Sequence, residues 1–200
     1  NGHIIVRKSG INKTVLDVDD IVLPGLHNLE NYLAAIAAVE IFVDPDSIKK
    51  VARTFRGVEH RIEFVANING ISFYNDSIGT SPARTRASVL AFNKPVILIA
   101  GGYDKKIPDD EMGSLIVERV KSLVLIGETA PLIEKALKDA VARTGKGKDI
   151  KVIKCDSLEK AVEAAYNIAV ENDIILLSPA SASFDMFKNF EERGRKFKEA

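Results

Sequence analysis

Disulfides, a membrane span and a charge field of one sign are all missing from this chain. Its only cysteine, Cys155, has no partner for an internal disulfide and fits a reducing compartment. Cys155 closes the apolar run IKVIKC (150–155) and reads as a buried strand-end thiol. A nucleophilic cysteine would need a base beside it. No apolar run approaches the ~20 residues that cross a bilayer, and no signal-peptide pattern opens the chain, so no membrane partner is expected. Lysine plus arginine equals aspartate plus glutamate, 28 against 28, which leaves no overall positive field to gather nucleic acid. The locally basic KGKDIK (146–151) reads as a solvated loop.

Whole reaction classes drop out in the same way. The phosphate-loop pattern GxxxxGK[ST] is absent, and no GxGxxG follows a strand as a nicotinamide dehydrogenase would require. There is no Ser-His-Asp arrangement, no carboxylate pair at glycosidase spacing and no cluster of metal ligands. His3, His27 and His60 are too scattered to argue for a metal, so no metal site is expected. The chain opens Asn1-Gly2 without methionine, which reads as processing or as a piece of something longer.

What is present alternates. Residues 3–7 and 14–23 read as short strands joined at Ser9-Gly10. GLHNLENYLAAIAAVEIF carries Leu29, Leu33, Ile36 and Ala37 at helical spacing, with Asn28 as its cap. Asp44-Pro45 opens a second helix that runs to about Phe55. HRIEFVANINGISFYND then predicts a hairpin around Asn69-Gly70. After it, strand-length apolar runs at 96–100, 122–127, 150–155 and 173–178 alternate with helices at about 82–92, 109–120, 130–143 and 157–171. A last helix is predicted at about 184–198. The fold class is therefore α/β: a Rossmann-like, mostly parallel sheet with helices on both faces. Residues 58–200 make that domain. Residues 1–57, which would leave unpaired sheet edges and little core, read as the tail of a missing domain.

Right-handed crossovers place every strand-to-helix loop at the carboxyl edge of such a sheet, where ligands bind. In Asn75–Pro82, capping accounts for Ser81 and Pro82 but leaves Asp76 and Thr80 as candidates to touch a ligand. In Gly101–Lys105, paired glycines permit a close backbone approach, and Lys105 stands within reach of the crevice. In LLSPASASFDMFKNF (176–190), Pro179 stops the strand and Ser183 is the natural N-cap of the last helix, with Asp185 in its first turn. Such a terminus suits an anion; a plain capped helix is the alternative. Together the three loops point to a small carboxylate ligand.

These residues also resemble a known family. GLHNLEN (25–31) matches the GxHNxxN of the Mur ligases, HRIE (60–63) their HRxE, and Asn75-Asp76-Ser77 their NDS-type loop. The GGYDK loop and LLSPASASFDMFKNFEERG narrow the likeness to the members that add D-glutamate; the DNPR-type motif of the diamino-acid-adding members is absent. The resemblance runs in order over nearly the whole chain. It implies a cytoplasmic, ATP-dependent amide ligase of peptidoglycan synthesis, aided by Mg2+, that joins D-glutamate to UDP-N-acetylmuramoyl-L-alanine through an acyl phosphate. Residues 1–57 would be the end of its central ATP-binding domain and 58–200 its C-terminal domain, and a monomer is expected. The phosphate loop, the magnesium ligands and the modified lysine of the family lie outside these residues, so no catalytic residue is assigned and the fragment is expected to be inactive alone.

Carried over by position, Asn28, Asn31, Arg61 and Asp76 would contact the nucleotide. Thr80, Lys105, Ser183 and the Phe184 backbone would hold the carboxylates of D-glutamate, with Phe190 close by. The glycine-free SPASAS would then be a stiff turn holding its hydroxyls in place. His27 and His60 would be structural. Ile78 stands where the family commonly has lysine, and Ser81 and Ser181 replace the usual asparagine and cysteine. A non-catalytic nucleotide- or amino-acid-binding module on the same scaffold is the alternative.

Overall fold

The computed structural model describes residues 2–23, 25–106 and 111–200. By its internal packing the chain divides into two compact units, Asn1–Gly57 and Val58–Ala200.

In the first unit, β1 (His3–Lys8) and β2 (Ile11–Asp17) form an antiparallel ribbon, followed by α1 (Leu26–Val39) and α2 (Pro45–Thr54). Strand β2 stops short of Leu23 because Val18–Asp20 winds into a 3-10 turn. The core is small: Ile4, Val15, Leu16, Ile36, Ile48 and Ala52. Helix α2 starts as its sequence requires, with Asp44 accepting from the Ser47 N–H at 2.9 Å and Pro45 in the first turn. Helix α1 starts earlier than the sequence suggests. Gly25 is its N-cap and Asn28 lies inside the first turn, its N–H donating to the Gly25 carbonyl at 3.0 Å.

The second unit opens with the hairpin of β3 (Glu63–Ile68) and β4 (Ile71–Asn75). Asn69 and Gly70 take φ of 52° and 80°, the paired positive values of a type I′ turn. Four more strands follow: β5 (Val96–Gly101), β6 (Val120–Ile126), β7 (Lys151–Lys154) and β8 (Ile174–Leu177). They alternate with α3 (Pro82–Leu90), α4 (Met112–Arg119), α5 (Ala130–Thr144), α6 (Leu158–Ile168) and α7 (Phe190–Glu199). The expected start of α4, at Asp109 and Asp110, lies outside the described residues. The sheet order is β3-β4-β8-β5-β6-β7, parallel throughout except for the β3–β4 pair.

Every residue of β5 is buried, because alternate side chains feed two different cores. Leu98, Leu123, Leu125 and Leu176 pack with Leu115 and Ile116 of α4 and Ile133 of α5. Ile97, Ile99, Val124 and Ile175 pack with Leu158, Ala161 and Ala165 of α6 and Phe197 of α7. Helices thus cover both faces. Strand β8 returns between β4 and β5, so the strand order reverses beside β5. That reversal opens a crevice at the carboxyl ends of β5 and β8.

The last helix departs from its predicted span. It begins at Phe190, six residues later than expected, with Asn189 accepting from the Glu192 N–H at 2.8 Å as the N-cap. Residues 183–187 close a separate turn, in which the Met186 and Phe187 N–H groups donate to the Ser183 carbonyl at 3.1 and 2.8 Å. Ser183 therefore caps no helix. Among the described residues no helix is long and apolar enough to cross a membrane.

Candidate functional site

Backbone bonds tie the carboxyl-edge loops of the second unit into one body. The Gly101 N–H donates to the Pro179 carbonyl at 2.8 Å, the Ala180 N–H to Gly79 at 2.9 Å, and the Tyr103 N–H to Ala182 at 2.9 Å. Tyr103 and Ala182 form an isolated antiparallel bridge, so the Lys105 segment runs beside the segment that carries Ser183. Ala180 is held at φ 59°, a strained value for a side-chain-bearing residue and one found where surrounding structure fixes the backbone.

Lys105 Nζ donates to Thr80 Oγ1 across 3.4 Å, a long contact between two loops that a ligand oxygen can replace. A cleft of about 230 Å3 opens beside it, walled by Tyr103, Lys105, Thr129, Ser181, Leu132 and Ile133. Drug-sized pockets run from roughly 300 to 1,000 Å3, so this one admits only a small ligand. Its wall combines the charged Asp104 and Lys105 and the hydroxyls of Thr129 and Ser181 with aliphatic side chains. Thr129 belongs to a fourth carboxyl-edge loop, Gly127-Glu128-Thr129, that the sequence reading passed over. Its Oγ1 accepts from the Gly102 N–H at 3.0 Å and shares a 2.8 Å hydrogen bond with Ser181 Oγ. The rule that sends Asn75–Pro82 to this edge applies equally to the loop after β6, and it would have found Thr129.

The remaining candidates fall in three places. Ser183 is buried but does not wall the cleft, and the helix terminus expected there to attract an anion begins instead at Phe190. The Phe184 side chain is two-thirds exposed, edge-on to Tyr103 with ring centroids 6.2 Å apart. Phe190 packs edge-on against His60 at 6.1 Å, and its carbonyl accepts from Ser77 Oγ at 2.7 Å. Asn28 and Asn31 lie on α1 in the first unit, where Asn31 Nδ2 donates to Asn28 Oδ1 at 3.4 Å. The side chain of His27, expected to be structural, lies outside the described part.

Asp76 differs most from its expected surroundings at a nucleotide's edge. Only 2% of it is exposed. Its Oδ2 accepts from Ser88 Oγ at 2.6 Å and Ser178 Oγ at 2.7 Å, and its Oδ1 from the Ile62 N–H at 3.3 Å. The first two bonds tie the NDS-type loop to α3 and to the end of β8, and the third ties it to the HRIE corner, where His60 and Ile62 hold φ of 64° and 46°. His60 is buried as well, with Nδ1 accepting from Asn75 Nδ2 at 2.9 Å. Arg61 between them is exposed.

Burial pushes the Asp76 carboxyl pKa up, outweighing the donors that favour its charge. A raised native pKa means that Asp76 contributes most stability below the ordinary aspartate range and loses it as pH rises through the raised value. Compared with Asp76→Asn, the wild-type chain should lose relative stability as pH rises above the ordinary aspartate range. Urea midpoints of the two proteins over that rise check it. A pH-independent gap would contradict it, because the ion-paired carboxylates with lowered pKa, Glu134 and Asp156, are common to both proteins and cancel.

Among the described residues one cluster has metal-ligand types in reach of each other: Glu59, His60 and Glu63. Lys198 Nζ already donates to Glu59 at 2.7 Å and Glu63 at 3.0 Å. A cation is in place, so the cluster does not fit a metal.

A further residue, Arg193, went unnoticed in the sequence. It is fully buried under these loops and donates to Ser77, Ser181 and Ala182. No local signal sets it apart in the charged stretch EERGRKFKE.

Comparison with known proteins bears on the family. The family model described as "Mur ligase, glutamate ligase domain" matches residues 60–181. The chain is 61% identical over 197 residues to UDP-N-acetylmuramoylalanine–D-glutamate ligase of Acetivibrio thermocellus, covering 98% of this chain and 42% of that protein. To the enzyme of the same name from Ruminiclostridium cellulolyticum it is 52% identical over 199 residues, 100% of this chain and 43% of the other. The chain thus spans about two fifths of the length of the curated relatives it matches. In fold it resembles the crystal structure of a UDP-N-acetylmuramate-alanine ligase from Thermotoga maritima, with a TM-score of 0.64 at 19% identity over 90% of this chain and 38% of that one. The HRIE corner, the NDS-type loop and the glycine-paired turn after β5 all fall inside the matched span, and the chain belongs to the Mur ligase family.

Proposed function

We propose that this chain is the amino-acid-binding part of an ATP-dependent ligase that adds D-glutamate to UDP-N-acetylmuramoyl-L-alanine in peptidoglycan synthesis. The observation that carries the reading is the Lys105–Thr80 pair at the mouth of a small cleft, on the sheet edge where the strand order reverses. The names of the relatives supply the substrates. In this reading ATP activates the alanine carboxylate as an acyl phosphate, the D-glutamate amine attacks it, and phosphate leaves.

The work of these residues is binding and orientation. Lys105 supplies a mobile cation for one carboxylate of the amino acid, and the Thr80 hydroxyl fixes its direction. Ser183 and the Phe184 backbone, carried on the segment bridged to Tyr103, serve the other carboxylate, with Phe190 behind them. Exposed Arg61 faces the nucleotide phosphates, while Asn28 and Asn31 of the first unit serve the adenine side. Buried Asp76 acts on the nucleotide side through the loop that it fixes. Residues 1–57 are the end of the central ATP-binding domain and 58–200 the C-terminal domain of a cytoplasmic, monomeric enzyme. Mg2+ is held elsewhere in that enzyme; among the described residues, the one cluster that resembles a site already holds the Lys198 ammonium.

Phosphate release is the test. A longer parent chain carrying the phosphate loop should release phosphate only when ATP, D-glutamate and UDP-N-acetylmuramoyl-L-alanine are all present. The 200-residue chain should release none. Robust turnover by the 200-residue chain alone would overturn the division of labour proposed here.

A further inference from the structure

Arg193 is 0% exposed, the largest of the fully buried side chains described, although it carries a charged guanidinium. Its Nε donates to Ser77 Oγ at 3.0 Å and its Nη2 to the Ser77 carbonyl at 2.9 Å. Nη1 donates to the Ala182 carbonyl at 3.1 Å, and both Nη1 and Nη2 donate to the Ser181 carbonyl at 3.2 Å. A Cβ placed on Gly102 would stand 3.2 Å from Nη1, so the guanidinium also lies against the end of β5. Every one of its acceptors is neutral. The acidic groups near it, Asp76 and Asp185, act through space, and burial still draws its pKa down to about 10, leaving it charged at neutral pH.

Stability alone explains such a group poorly. An apolar side chain of similar volume would fill the space without burying a charge. A rigid planar fork does what no apolar group can: it fixes the relative position of two loops in one plane. Those loops are the ones that carry the proposed amino-acid contacts. Ser77 stands three residues before Thr80, and Ala182 directly before Ser183.

We infer that Arg193 is a positioning residue of the amino-acid site, holding the Thr80 loop and the Ser183 loop at the separation that lets one dicarboxylic amino acid be gripped at both ends. The inference rests on the D-glutamate reading of the cleft. Without the fork the Ala180–Gly79 backbone bond still joins the two loops, but the anchors at Thr80 and Ser183 lose the shared clamp that sets their register. The loss then falls on two-ended binding, not on the fold as a whole.

The test is a titration of the isotope-labelled 200-residue chain with D-glutamate, followed at the amides of Thr80, Lys105 and Ser183. In the wild-type chain the three should shift together with one Kd. Arg193→Lys keeps the charge and loses the fork, and it should raise that Kd about tenfold or more. It should also uncouple the anchors, so that Thr80 and Lys105 still respond while Ser183 does not. A purely structural role would lower the folded fraction and the signal amplitude, leaving the Kd and the coupling of the folded molecules unchanged; that result overturns the inference while the site stands. Should Arg193→Lys fail to fold, Ser77→Ala removes one acceptor and keeps the arginine. It should weaken binding in the same uncoupled way by about threefold to tenfold, and wild-type binding by Ser77→Ala would equally overturn the inference. No response of the wild-type chain at any of the three amides would remove the D-glutamate reading and this inference with it.

Discussion

Replacing Lys105 with alanine in a full-length ligase is expected to raise the KM for D-glutamate by about ten- to a hundredfold, while the KM for ATP stays within about twofold. The size follows from the bond that is lost. A charge-assisted hydrogen bond to a carboxylate is worth about 1.5–3 kcal/mol, and each 1.4 kcal/mol is a factor of ten. The selectivity follows from position. Lys105 leans over the cleft toward Thr80, while the exposed arginine of the HRIE corner lies on a different loop. Its side chain is exposed and its one described bond is the long contact to Thr80, so thermal stability should hardly change. Steady-state kinetics against each substrate in turn decide the matter. Equal rises in both KM values would remove Lys105 from the amino-acid site, and a large fall in melting temperature would mean that its role is structural.

The second large effect expected is on stability. Gly101 closes β5 with φ at 116°, and a Cβ added there would stand 1.9 Å from the carbonyl oxygen of Ile126 and 3.0 Å from its carbon. The obstacle is backbone in the neighbouring parallel strand, which cannot swing aside as a side-chain tip would. To admit one methyl group, β5 and β6 would have to part at their carboxyl ends, where the cleft begins. Gly101→Ala should therefore destabilise the chain by about 4 kcal/mol or more, at the exceptional end of single substitutions. Gly145 provides the control. It also has positive φ, at 72°, but with nothing within 4 Å of an added Cβ, so Gly145→Ala should cost only the left-handed penalty of about 1–2 kcal/mol. Denaturant midpoints of the two variants separate crowding from conformation. Similar losses in both would show that the sheet yields at Gly101.

Much of the second unit was legible because its signals are local. Apolar runs of strand length became β5, β6, β7 and β8, and Asn69-Gly70 made the hairpin turn. The position of Lys105 followed from the rule that crossover loops share one edge. Where the reading failed, the deciding contacts are long-range. Phe184 and Phe187 look like the start of a helical stripe, yet Phe184 is spent against Tyr103 while Phe187 packs on the α6 side of the sheet. The cap three residues before Glu192 then sets the start of α7. That pattern, Asn189 followed by Glu192, stood in the sequence and was outweighed by the serines. Asp76 looked available because nothing nearby in the sequence accounted for it. Two of its three donors, Ser88 and Ser178, come from elements formed 12 and 102 residues away. Arg193 was invisible for the same reason, since its acceptors lie 11 to 116 residues back along the chain.

The placement of β8 between β4 and β5 has a bearing on how the protein is made. Until residues 174–177 have been synthesised, β4 and β5 have no common neighbour, and the hairpin cannot join the rest of the sheet. The emerging polypeptide must therefore carry two open strand edges from the time β4 and β5 appear until β8 does, and the central seam closes only then. The same late step brings Ser181 to the wall of the cleft and Arg193 beneath the loops around it, so a molecule that has not finished folding has no pocket to offer.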